Sequence, residues 1–338
     1  MAPLRWAIAG AGEMSHDFAN AVQIFPEEHT VVAVASASKE RAEKFALENN
    51  IPKAYEGYEA IANDAEVQVV YIGNLVTQHY STTKLMLEHG KAVLCETPFT
   101  INEKQTTYLV NLARSKKLFL MLGVWCRCFP AYSKVRELLD NASIGDIQFV
   151  YANTGIDSKY LNRLAKKELG GGAILDLSIY CFQFLQFVFP ELQPTKIVVN
   201  GSLNKYDVDG TSGALLSYPG GKLASVACSS DVMLSNEAII HGTEGTIKIP
   251  QFWCPTEVIT EQQTYKFDLP QHSESLNFTF PNTEGLYYEA HEVKHCLEEG
   301  KLESSKITHQ ETIQLAKLLD TMRKEVGYQF PEDLKSFK

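Results

Sequence analysis

Apolar positions in the first third of the chain fall in short runs, and the stretches between them carry apolar residues at helical spacing. RWAIAG (5–10), TVVAVAS (30–36), VQVVYIGN (67–74), KAVLCE (91–96) and LFLMLGV (118–124) read as five strands. The stretch after Gly12 to about Phe25 reads as helix. So does KERAEKFALENN (39–50), with Ala42, Phe45 and Ala46 on one face. Residues 77–90 and 102–117, the latter with Leu109 and Leu112 inward, complete the set. Strands separated by helices of this length predict right-handed crossovers and a parallel sheet.

Near residue 125 the pattern changes. AYSKVRELLDN (131–141) predicts a helix and IQFVYANTG (147–155) a strand. A glycine triplet at 170–172 opens another helix. KIVVNGSL (196–203), GALLSYPGGKLASVACSS (213–230) and EAIIHGTEGTIKIP (237–250) follow, with PGG and TEG turns. Hairpins on short turns predict an antiparallel sheet. Residues 287–300 and 309–327 return to helix. Two domains are expected, over 1–124 and 125–338, packed as one unit without a linker.

Composition narrows the partners. Apolar residues make up 45% and charged residues 21% of 338, ordinary for a globular protein with a full core. A net charge of −10 argues against nucleic acid or an anionic membrane as the main partner. It leaves room for a local basic pocket. The seven cysteines are odd in number, and several lie within apolar runs, which suits buried thiols better than disulfides. MAPLRWAIAGAGEM has too short an apolar run for a signal peptide, and no run approaches the roughly 18 residues of a span. A cytoplasmic location is expected.

Candidate chemistry begins at the first turn. Gly10-Ala11-Gly12-Glu13-Met14-Ser15 follows a strand and precedes a helix. The first glycine permits the tight turn, and the second lets backbone approach a pyrophosphate at the helix N-terminus. An acid about 20 residues on would bind a ribose 2′-hydroxyl and repel a 2′-phosphate. The second strand ends instead in Ser36 and Ser38, followed by Lys39 and Arg41. That favours NADP over NAD, unless the two cations are only solvated first-turn residues. His291-Glu292-Val293-Lys294-His295 matches the zinc-protease pattern but has no third ligand at the required spacing, so no metal is expected.

These residues, with IPKAYEGYE (51–59), GKAVLCETP (90–98), W-x-R-x-FPA (125–131), GGGAILDLSIYC (170–181), HGTEG (241–245) and WCPTE (253–257), resemble the glucose–fructose oxidoreductase superfamily over the whole chain. The resemblance is greatest to its dimeric dihydrodiol dehydrogenase branch. It implies an α/β Rossmann domain and an α+β C-terminal domain with an open, mainly antiparallel sheet that forms a homodimer. It also implies NADP-linked oxidation of a small diol or sugar-like molecule between the domains. The cofactor positions are Gly10, Gly12, Glu13 and Met14 in the turn, Ser36, Ser38, Lys39 and Arg41 beyond the second strand, and Asn74, His79 and Glu96 nearer the nicotinamide. Trp125 and Arg127 match a segment lining the cleft, and Asp176 and Tyr180 match a substrate-facing pair.

The pair also makes sense on its residues alone. Four apart on a helix, Asp176 and Tyr180 share a face, and the glycines before them let backbone approach a ligand. A tyrosine can exchange a proton with a substrate hydroxyl if its pKa is lowered. Half-buried packing is the competing reading for such a tyrosine.

One departure dominates. Thr97 stands where the family has the lysine of Glu-Lys-Pro, whose charge would favour tyrosinate. Leu122 replaces an acid, Cys126 and Cys128 replace residues usually Thr and Phe, and Ser178 replaces a glycine. Ala37 replaces an arginine suited to a 2′-phosphate. Two functions follow: an oxidoreductase weakened or redirected at Thr97, or a catalytically silent relative that keeps a cofactor or small-ligand cleft and serves as a binding, sensory or structural protein.

Overall fold

A computed structural model describes residues 2–157, 162–190 and 192–335. The first sheet contains β1 (Leu4–Ala9), β2 (His29–Ser36), β3 (Ala54–Glu56), β4 (Val69–Ile72), β5 (Ala92–Glu96) and β6 (Leu120–Gly123). The order is β3-β2-β1-β4-β5-β6, all parallel. Between the strands run α1 (Glu13–Gln23), α2 (Lys39–Glu48), α3 (Glu59–Asn63), α4 (Val76–Glu88) and α5 (Glu103–Lys116). Every residue of β4, β5 and β6 is buried, so both faces of this half of the sheet are covered. β3 and α3 were not legible in the sequence, being too short for any period to show.

The core reaches the site through aromatic rings. Trp6 meets Phe18 edge-on at 5.1 Å, and Phe18 stacks on Tyr71 at 3.9 Å. Tyr71 lies on β4 with its hydroxyl aimed at the end of β5.

After α6 (Pro130–Asp140), the second sheet contains β7 (Ile147–Gly155), β8 (Lys196–Leu203), β9 (Asp209–Ser217), β10 (Leu223–Ser229), β11 (Glu237–Gly242), β12 (Thr246–Pro250), β13 (Glu257–Thr260) and β14 (Thr264–Lys266). Its order is β14-β13-β12-β11-β7-β10-β9-β8. Neighbours are antiparallel except β7 and β10, which run parallel at the centre. The chain leaves β7 through α7 (Ile179–Val188), the edge strand β8 and its neighbour β9 before returning as β10.

One face of this sheet carries α6, α7 and α9 (His309–Val326), and on the other Val198 and Leu215 are exposed. Lys167–Val188 is long and apolar enough to span a membrane by composition, against the expectation that no run comes near it. Burial explains the composition, since 78% of its most apolar window lies inside the protein.

The last helices pack back onto the first sheet. α8 (Leu286–Glu298) lies on α1, and α9 lies on α5. Asp17 on α1 is wholly buried and accepts from the Thr279 and Phe280 amides and from the Thr283 hydroxyl, at 2.7–2.9 Å. Edge strand β6 is covered too, because the Leu120 amide donates to the Leu302 carbonyl at 3.1 Å.

Candidate active site

The glycine turn sits between β1 and α1, against the loop that follows β4. Gly10 has φ +114°, and a Cβ there would lie 2.6 Å from the Asn74 amide nitrogen, so only glycine fits. Gly12 is the N-cap of α1 and offers its first-turn N–H groups no side-chain acceptor. Beside it, the buried Asn74 Oδ1 has no partner, although its Nδ2 donates to Thr82 Oγ1 at 2.9 Å. Glu13 is exposed in the first turn and Met14 is half-buried against the core.

At the other end Ser36 is buried, and Ser38 caps α2 by accepting from the Arg41 amide at 3.4 Å. Arg41 Nη2 reaches across to the Ala11 carbonyl at 3.2 Å, which places its cation over the glycine turn. Lys39 pairs with Glu43 at 3.7 Å in solvent instead. An uncapped helix start, an orphaned acceptor and an arginine where an acid would repel phosphate together fit a dinucleotide.

The second cluster forms where β5 and β6 end. The structure brings Thr97, Trp125 and Tyr180 together. Trp125 Nε1 donates to the Tyr180 hydroxyl at 3.2 Å, and that hydroxyl lies 3.3 Å from Thr97 Oγ1. Among the described residues these are its hydrogen-bond partners. Glu96 is buried and accepts from the Tyr71 hydroxyl at 2.6 Å and from the Thr97 amide at 3.0 Å. Burial still pushes the Glu96 carboxyl up to about 7. Burial, and then the Glu96 charge, push the Tyr180 phenol far above the usual tyrosine range.

Behind this cluster stands a residue the sequence did not single out. Glu289 on α8 is fully buried, and neither carboxyl oxygen has a hydrogen-bond partner among the described residues. A Cβ on Gly123 would lie 3.3 Å from Glu289 Oε2 and 3.6 Å from the Glu96 Cα, so the two acids are close. Burial, then the Glu96 charge, hold the Glu289 carboxyl well above the carboxylate range. The available signal was an acid within the apolar stripe of α8.

Three expectations need correction. Asp176 was expected to share a face with Tyr180 and support it. It instead binds Arg163 through both oxygens, at 2.6 and 3.0 Å. Residues Ile174–Ser178 form a π-helical turn, whose wider pitch upsets the four-residue spacing argument. Arg127 was expected in the cleft. Its guanidinium is buried among α7, α9 and the chain before α9, bonded to Gln183 Oε1 (2.6 Å), the Gln183 and Lys306 carbonyls, and Glu311 (3.2 Å). The glycine triplet was expected to make room for a ligand. Protein atoms fill that room: the Val76 side chain, the Arg163 and Leu164 carbonyls, and Asp209.

His79 lies buried between the loops that follow β4 and β5. Nδ1 faces the Pro98 carbonyl at 2.8 Å and Nε2 the Asn74 carbonyl at 3.0 Å, and the neutral ring, with one N–H, donates to one of the two. Burial lowers its pKa.

The His-Glu-x-x-His pattern is absorbed by packing. His291 pairs with Glu28 at 2.9 Å, while Glu292 accepts from Ser304 at 2.5 Å. Glu28, His29 and His291 do converge within 4.8 Å. However, Trp6 Nε1 donates to His29 Nδ1 at 3.2 Å, which leaves the neutral ring's proton on Nε2, the nitrogen facing Glu28. A protonated nitrogen has no lone pair for a metal.

Fold and site together define a dinucleotide-binding oxidoreductase architecture, with a tyrosine at the strand ends beside the glycine turn. Residues 4–124 match the oxidoreductase family with an NAD-binding Rossmann fold, and 132–248 match the GFO/IDH/MocA C-terminal domain. The trans-1,2-dihydrobenzene-1,2-diol dehydrogenase of Sus scrofa is 41% identical over 332 residues, covering 98% of this chain and 99% of the relative. The Danio rerio enzyme of the same name is 39% identical over 332 residues, with the same coverage. The chain belongs to the GFO/IDH/MocA oxidoreductase family. Solved structures share the fold. One is a 3-ketoreductase from Actinomadura kijaniata in complex with NADP and TDP-benzene, with TM-score 0.81 and 22% identity over 95% of this chain and 97% of that one. Another is a levoglucosan dehydrogenase in complex with NADH and levoglucosan, with TM-score 0.81 and 19% identity over 96% and 97%.

Proposed function

We propose that this protein is an NADP-preferring oxidoreductase of the dihydrodiol or sugar dehydrogenase type, slowed or redirected by Thr97. The observation that carries the reading is the Tyr180 hydroxyl, held between Thr97 and Trp125 at the strand ends that face the glycine turn. The backbone of Gly10–Met14 and the side chains of Ser36, Ser38 and Arg41 would hold the adenosine and phosphate end. Asn74, His79 and Glu96 would frame the nicotinamide side. When bound, the nicotinamide supplies the hydride acceptor for a substrate C–H bond.

The chain's own task is the proton. Tyr180 takes it from the substrate hydroxyl as the carbonyl forms. Trp125 and Thr97 are the hydrogen-bond donors that stabilise the phenolate Tyr180 must carry before it accepts that proton and becomes a neutral phenol. Neutral donors do this less well than a lysine, and the buried acids oppose it, so turnover near neutral pH is slow. The same arrangement favours a small neutral diol or sugar-like substrate, because Glu96 adds negative charge to the pocket.

A homodimer through the open sheet face belongs to the same reading. Paired positions Val198, Leu215, Ser225, Tyr151 and Ile239 form a row across five strands. Val198 and Leu215 are 52% and 45% exposed. A cytoplasmic location accompanies this reading.

Titration with NADPH and with NADH, followed by nicotinamide fluorescence, tests the cofactor. Saturation by NADPH at lower concentration than by NADH is expected; no binding of either at millimolar concentration rules the reading out. The silent-relative reading draws on Thr97, and it prevails if cofactor binds while neither wild type nor Thr97→Lys turns over diols or sugars.

A further inference from the structure

The turn that carries Asp176 and leads into α7 and Tyr180 has no cap of its own. Ala173 precedes the π-helical residues Ile174–Ser178 and offers no side-chain acceptor. Helix starts expose N–H groups that need acceptors when buried. Here the acceptor comes from another element. Asp209, the first residue of β9, accepts from the Ile174 amide through Oδ2 at 2.6 Å.

The fit around this contact is close. Gly172 has φ +120°, and a Cβ there would lie 2.2 Å from Asp209 Oδ1 and 3.1 Å from Tyr328 Cε1. On the other side the Tyr328 hydroxyl donates to the Gly171 carbonyl at 2.7 Å. Within the turn, the Ser178 hydroxyl donates to the Ile174 carbonyl at 2.6 Å. The backbone ahead of Tyr180 is therefore gripped by a carboxylate from the second sheet and a phenol from the C-terminal segment.

Asp209 is an expensive choice for a purely structural contact. It is 0% exposed, Oδ1 has no partner, and burial pushes its carboxyl up to about 6. An asparagine could accept the same bond without a buried charge. What the carboxylate adds is attraction to the positive end of the turn it caps.

We propose that Asp209 is a positioning residue, whose carboxylate grips the backbone at Gly172–Ile174 and so fixes the Tyr180 hydroxyl between Thr97 and Trp125. This rests on the reading of Tyr180 as the acid–base group. Displacing the turn would leave cofactor contacts intact and misplace the hydroxyl. Catalysis falls steeply with such misplacement.

Asp209→Ala, Asp209→Asn and Gly172→Ala test the proposal in the full chain by hydrogen exchange of the 172–180 backbone, NADPH titration and steady-state kinetics. Asp209→Ala is expected to quicken exchange there by about five- to tenfold, the effect of a lost cap. NADPH affinity should stay within about twofold, and kcat should fall more than KM rises. Asp209→Asn should restore most of the protection. Gly172→Ala, which pushes the carboxylate away, should loosen the same residues and covers the case in which Asp209→Ala fails to fold. Unchanged exchange at 172–180 in both alanine variants overturns the proposal. So does quickened exchange spread evenly over the second sheet, or an asparagine variant as loose as the alanine one. If wild type neither binds NADPH nor turns over, the oxidoreductase reading fails while exchange still decides the grip.

Discussion

Around the buried Arg323 each half-buried acid has a cation in contact, whereas around Tyr180 the buried Glu96 and Glu289 have none among the described residues. Arg323, on α9, donates to Asp333 at 2.8 Å, to Asp320 at 2.7 Å and to the Ile101 carbonyl at 3.0 Å. Asp320 also accepts from the Glu103 amide at 2.9 Å, so the cluster joins α9 to α5. In the tyrosine pocket, Glu96 has two neutral donors and Glu289 has no partner. The first cluster satisfies its charges and fastens the two halves of the molecule. The second keeps charge unsatisfied beside a reactive hydroxyl, as perturbed groups at functional sites commonly do.

The comparison is broken most severely at Arg323. Arg323→Met would leave two half-buried acids without their cation, and the loss is expected at the low end of the roughly 3–5 kcal/mol for breaking a buried pair, because water still reaches both carboxyls. Urea unfolding should show that loss, and a midpoint equal to wild type would contradict the assignment. Thr97→Lys works the opposite way, by setting a cation beside the tyrosine hydroxyl, where Arg163 acts on Glu96 and Tyr180 only through space while its contact is with Asp176. A restored preorganised charge is expected to raise the turnover of diols or sugars by about 10²–10³-fold. The gain should vanish in Thr97→Lys/Tyr180→Phe. A gain that survives the phenylalanine would assign the proton to another group.

A smaller effect tests the unpartnered acid. Replacing a buried unpaired carboxyl by an apolar side chain of similar size removes a desolvation cost. Glu289→Leu is expected to raise stability by about 1–2 kcal/mol, read from the shift in urea midpoint. A drop of that size would mean that Glu289 has a partner in solution, such as a bound water.

How much of this was legible depended on what each residue reports locally. The glycine turn and five of the six strands of the parallel sheet could be read, because period and motif spacing carry that information, whereas Thr97 stood out only through the resemblance. Trp125 and Tyr180 were drawn from the resemblance, and their contact needed the fold, since 55 residues separate them. Arg127 misled because a buried arginine and a cleft arginine look alike in sequence. Its true partners, Gln183 and Glu311, lie 56 and 184 residues away. The pairing of Asp176 with Arg163 was hidden by the π-helical turn, which no composition signals. Glu289 was visible as an acid on an apolar face, but only burial shows that both its oxygens lack a partner.

The finest test of the comparison is pH. Glu96 has a carboxyl raised from 4.5 to about 7 in the folded protein. It therefore binds its proton more tightly folded than unfolded, so the stability tied to that proton is fully present below pH 4.5. It is lost as pH rises from 4.5 to about 7. Within the Arg323 cluster Asp333 should contribute differently, since Arg323 holds it below its ordinary value despite its burial, whereas burial raises Asp320. Stability from Asp333 is present above the unfolded carboxylate pKa of about 3.9 and declines only in stronger acid. Between pH 5 and 8, then, the tyrosine pocket loses stability while the Asp333 contribution stays constant. Glu96→Gln removes the titration and keeps an acceptor for Tyr71. The fall in urea midpoint from pH 5 to pH 8 should be smaller in Glu96→Gln than in wild type, by on the order of 1 kcal/mol, because Glu289 shares in the proton balance. Other groups, Asp209 among them, titrate alike in both proteins and cancel in that difference. Equal falls in the two proteins would place the unsatisfied charge elsewhere and remove the electrostatic contrast with Arg323.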